Sequence, residues 1–196
     1  VKRGSGQEYG GWLECTAPYH DGVIPRALQP DLETAEARHD AVLHELHAYT
    51  RFVDEHGDEN GSAYESMSAR IRQLTGKDTS SVNLAEWWEG EGAEVLAFRL
   101  SLPDPPTAAL GSDDIRAIVH WLKAPRLPRS GSFAEDFEIY LDDYYYELLR
   151  RNCSRYDHRL LFGSRRSPDG TRTEMTVEEA VEWLLAPAKS LRPPEV

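Results

Sequence analysis

Between positions 31 and 56, apolar residues fall along one side of a 3.6-residue period: Leu32, Ala35, His39, Val42, Leu43, Leu46, Tyr49 and Val53. That spacing predicts one long amphipathic helix, opened by Asp31 behind Pro30 and stopped at Gly57. The same period predicts a helix over 62–75 through Tyr64, Met67, Ile71 and Leu74, and another over 113–124 through Ile115, Ile118, Val119 and Leu122. A long helix over 133–152 and a short one over 177–186 complete the set. Four capping boxes mark helix starts, each a small polar residue with Glu three positions on: Ser62/Glu65, Asn83/Glu86, Ser132/Glu135 and Thr176/Glu179.

Period-two patterning is scarcer. Leu96, Phe98, Leu100 and Leu102 alternate over 94–102 until a proline cluster ends the run, and 12–17 offers a partner strand. A hairpin over 160–175 would turn at Ser167, Pro168, Asp169 and Gly170. The fold predicted is helix-rich α+β: a single layer of few strands (12–17, 94–102 and the hairpin 160–175) packed against about five or six helices. With 196 residues, 40% of them hydrophobic and five Trp, the chain can bury a core as one domain over 8–187, flanked by flexible termini at 1–7 and 188–196.

Charge is unevenly spread. Residues 1–149 carry a balance of −14, 150–172 a balance of +5 and 173–196 a balance of −3, within a net charge of −12. An acidic body repels nucleic acid and anionic membrane, and the basic stretch holds few aromatic residues for stacking bases. No run reaches the roughly 18 apolar residues of a membrane span, and the polar, Gly-rich start lacks a signal-peptide stretch. Cys15 and Cys153 are isolated, which suits buried thiols in a reducing cytoplasm and leaves one disulfide between them open.

Familiar reaction signatures are missing. There is no nucleophile elbow, no S-x-x-K, no phosphate loop and no dinucleotide fingerprint. His44, Glu45, Leu46 and His47 only superficially resemble a zinc-protease pattern, whose two His stand four apart rather than three. No cofactor is implied.

Four groups of residues merit a functional reading beside a structural one. Glu36, Asp40, His44 and His47 share one edge of the first helix, where His44 and His47 are weak candidates for metal ligands; the plainer reading is a solvated flank. His39, inside the apolar face, reads as a buried, hydrogen-bonded imidazole. The basic stretch (Arg150, Arg151, Arg155, Arg159, Arg165, Arg166 and Arg172) could offer Arg165 and Arg166 on the hairpin to an anion, although pairing with the chain's own acids is favoured. Trp87 and Trp88, adjacent on a helix end, cannot both face one core.

The fourth group lies on the 133–152 helix. Its core face would be Phe133, Phe137, Tyr140, Leu141, Tyr144 and Leu148. A second row, Ile139, Asp142, Tyr146 and Leu149 with Glu138 and Tyr145 at its margin, would face a partner or else a second core layer. The leading expectation is therefore a non-catalytic, cytoplasmic, acidic interaction domain that binds a basic protein, an inhibitor or immunity-like protein being one version. The alternative is a small-molecule enzyme or ligand-binding domain with a cleft of His, Trp and Arg residues. Neither reading settles whether the chain forms a homo-oligomer.

Overall fold

A computed structural model describes residues 23–80, 82–84, 92–166 and 172–186. The expected strand 12–17, the Asn83/Glu86 box, the Trp87 and Trp88 pair, the turn 167–170, Cys15 and both termini lie wholly or partly outside these residues.

Among the described residues the fold is all-helical, not α+β: 65% of them are helix. Eight α-helices are described: α1 Leu32–His56, α2 Ser62–Thr75, α3 Ala93–Ser101, α4 Ser112–Lys123, α5 Phe133–Phe137, α6 Asp142–Asn152, α7 His158–Phe162 and α8 Val177–Leu185. The hairpin expected over 160–175 shrinks to a two-residue antiparallel ladder, β1 Arg165–Arg166 on β2 Arg172–Thr173, and 160–162 falls in α7 instead. Two residues per strand are too few to make a layer.

The segment 94–102 corrects the strand reading most sharply. It forms α3, with Val95 and Ala97 buried as deeply as Leu96, Phe98 and Leu100. A half-buried strand would have placed one parity in water, and a short apolar run on both parities cannot be assigned by alternation. In helical phase, Leu96 and Leu100 share one side while Phe98 and Leu102 share the opposite one. The first pair joins Val42, Leu46, Met67, Ile71 and Leu84 in one apolar cluster; the second joins Ala35, Ile115, Ile118, Leu148 and others in the larger cluster. Helix α3 is thus wedged between two cores, with α1 running along it.

Local chemistry accounts for the ends of α1 and α8. Asp31 caps α1 by accepting the Thr34 amide at 3.0 Å, and Gly57 closes it with φ at 73°. The capping box at Thr176 and Glu179 is complete: each side chain accepts the other's amide, at 3.2 and 2.7 Å. Ser132 accepts the Glu135 amide at 3.3 Å to start α5. Ser62 is not a cap. Asp58 takes that role for α2 by accepting the amides of Ala63 and Tyr64 at 3.1 and 2.9 Å. His39 is buried; since a carbonyl only accepts, its Nε2 carries the proton and donates to the Glu94 carbonyl at 3.0 Å.

The continuous helix expected over 133–152 is broken. Five residues of α5 pass into a 3-10 turn, Glu138–Tyr140, before α6 begins at Asp142. Helix α6 is packed by α4, by α7 through Tyr146 and by the Pro-rich segment 103–110 through Asn152. Its buried arc takes in Tyr145 and Leu149 beside Leu141, Tyr144 and Leu148. Among the described residues no helix is long and apolar enough to cross a membrane.

Candidate functional site

A cleft of about 570 Å³ opens between the start of the described chain, α4 and the turn into α6. Its floor is apolar, from Ile24, Leu32, Ala117 and Leu141, and its wall is aromatic, from Trp121 and Tyr145 with ring centroids 4.4 Å apart. His120, Arg126 and Glu138 bring polar atoms to the lining. At the rim, Val23 is 89% exposed; nearby in sequence to Arg126, Leu127 is 82% exposed.

Arg126 organises one wall. Its guanidinium lies 3.8 Å over the Trp121 ring, donates to the backbone carbonyls of Trp121 and Ala124, and pairs with Asp142. The α4 carbonyls it meets are at the negative end of that helix, so the contact also serves as a C-terminal cap. A second arginine of the same segment, Arg129, pairs with Glu138 at 2.6 Å. The two arginines stand three apart and their carboxylates four apart, which straps the 124–132 segment to the turn before α6. Burial pushes the Asp142 carboxyl above its usual value even though Arg126 pulls the other way.

The six residues of the expected partner-facing row divide. Tyr145 and Leu149, at 4% and 0% exposure, belong to the larger apolar cluster. Glu138, Ile139 and Asp142 are half-buried near the cleft, and Tyr146 is half-buried against His158 and Phe162, with ring centroids 4.6 and 5.1 Å away. The carboxylates of the row are not free; each is held by an arginine of the strap. Trp121, Arg126 and Leu127 were missed. The available signal is the Arg126/Arg129 spacing matched to Glu138/Asp142.

The other candidates are dispersed. Glu36, Asp40, His44 and His47 are all exposed, and no group of three or more His, Cys, Asp or Glu among the described residues could hold a metal. Arg150 and Arg151 pair with Glu147 at 2.6 and 2.5 Å, and Arg151 also reaches Asp104 at 2.8 Å. Arg155 stacks on Trp183 at 3.7 Å and accepts the indole N–H on its carbonyl. Within the basic stretch, Arg150 and Arg151 are therefore paired with the chain's own carboxylates. The backbones of Arg165 and Arg166 form β1, while their side chains lie outside the described part. Cys153 is a buried free thiol, pushed up in pKa by that burial.

Compared with protein-family models, curated proteins and solved structures, the chain matches none.

Proposed function

We propose that this chain is a non-catalytic, cytoplasmic interaction domain that binds a basic protein, and that the cleft beside Trp121 receives the partner's anchoring side chain. The observation that carries this reading is the cleft itself: an apolar floor, an aromatic wall, and the solvent-exposed Val23 in its lining. Binding energy at interfaces concentrates where an aromatic-walled pocket excludes water. A net charge of −12 then favours a basic partner by raising its encounter rate.

The test is affinity capture from the native host with the wild type and with Val23→Glu and Glu138→Arg, at an exposed and a half-buried position of the cleft lining. A basic protein retained by the wild type and by Leu74→Glu, an exposed site on α2, but lost from both cleft variants is the expected result. Retention that is indifferent to the cleft variants would overturn the proposal.

A second reading draws on the same cleft, since about 570 Å³ with convergent His120, Arg126 and Glu138 also suits a small organic ligand or substrate. A thermal-shift screen separates the two: a small-molecule site gives saturable stabilisation by individual compounds, whereas a protein-binding groove does not.

A further inference from the structure

Arg126 occupies a socket whose walls are built without it. One wall is the face of Trp121, 3.8 Å from the guanidinium carbon; another is the Asp142 carboxylate; the third is formed by the Trp121 and Ala124 carbonyls at the end of α4. An aromatic face, a carboxylate and a helix C-terminus each attract a cation, and a planar guanidinium satisfies all three at once. Arg126 fits this socket incompletely. Its Nε is buried and has no hydrogen-bond partner among the described residues. It also reaches in from a loop whose next residues, Leu127 and Pro128, already stand in water.

We propose that the socket is the recognition site for an arginine of a partner protein, and that Arg126 is an internal placeholder which the incoming guanidinium displaces. This rests on the basic-partner reading above and names the side chain that reading leaves open. The incoming group re-forms the stack on Trp121 and the pair with Asp142, so the exchange conserves contacts while Arg126 moves to solvent. The chain's negative charge favours the approach of the cation.

Chemical rescue tests the socket without any partner. In Arg126→Ala, low-millimolar guanidinium chloride should raise the melting temperature saturably above a matched sodium chloride control. Wild type, whose socket is filled, and Arg126→Ala/Asp142→Asn, whose socket lacks its carboxylate, should show no such rise. An acetylated, amidated tetra-arginine peptide should bind Arg126→Ala about tenfold more tightly than wild type, because the competing internal group is gone. Arg116→Ala, at the other end of α4 and paired there with Asp113, changes net charge equally and should bind like wild type. Absence of the guanidinium effect, or peptide affinities that track net charge alone, would overturn the placeholder. Should Arg126→Ala fail to fold, Arg126→Gln keeps most of the stem and carries the same comparison. Host capture failing while guanidinium rescue succeeds removes the partner reading and leaves the socket standing.

Discussion

The Asn152 side chain holds Ala108: its Oδ1 accepts the Ala108 amide at 2.7 Å while its Nδ2 donates to the Pro106 carbonyl at 3.0 Å and the Leu148 carbonyl at 2.8 Å. One side chain at the end of α6 thus supplies the backbone partners that a Pro-rich segment cannot find in itself. Asn152→Leu leaves a part-buried amide and two carbonyls without that partner. The expected loss is about 1–3 kcal/mol, read as a lower urea midpoint with an unchanged slope.

Tyr145 and Tyr146 are neighbours with different duties. Tyr145 packs on Trp121 inside the core, while Tyr146 is half-buried against α7. Tyr145→Ala should cost about 3 kcal/mol or more, and Tyr146→Ala roughly 1 kcal/mol. Denaturant titrations of the two variants side by side check the order; equal losses would contradict it.

Gly163 ends α7 where a Cβ would lie 2.3 Å from the Arg159 carbonyl oxygen. Backbone must move to admit any side chain there. Gly163→Ala should therefore destabilise by about 1–3 kcal/mol, the range for overpacked sites. Calorimetry should show a lower melting temperature with the far-ultraviolet spectrum retained.

Among the contributors to the acid limb of stability, Glu147 and Asp142 act in opposite directions. Hydrogen bonds from Arg150, then Arg151, hold the Glu147 carboxyl below its usual 4.5. A depressed folded pKa contributes stability above the unfolded value that is lost as pH falls through the folded one. Asp142 is raised above 3.8 by burial, so its ionisation works against the folded state as pH rises past that value. From about pH 5 downward, Glu147→Gln should lose less stability than wild type and Asp142→Asn should lose more. Urea midpoints across that range read both slopes, and slopes of equal size in the two variants would refute the assignment.

Most helices were legible because their apolar positions recur at 3.6 residues and their ends carry recognisable caps, as at Asp31 and Thr176. Helix α3 was not, since Val95, Leu96, Ala97 and Phe98 are apolar in succession and such a run has no period to read. Nor was the break at 138–141, since nothing in Glu138, Ile139 and Tyr140 themselves forbids a continuous helix. The cleft escaped for a similar reason. Trp121, Arg126 and Asp142 come from separate stretches, and only folding brings a lone arginine between a ring and a carboxylate. His39, by contrast, announced itself, being a polar residue inside an apolar face that needed a hydrogen-bond partner and found Glu94.

Helix α3 belongs to both apolar clusters at once, Leu96 and Leu100 to one and Phe98 and Leu102 to the other. Neither cluster can melt while the other stays intact without stripping one side of that helix. The nine residues of α3 therefore couple the two halves into one cooperative transition, and their amides should exchange with solvent only when the whole chain unfolds. A break in the chain on either side of α3 would leave two fragments competing for a single helix, so the halves flanking it should not persist as separate folded pieces.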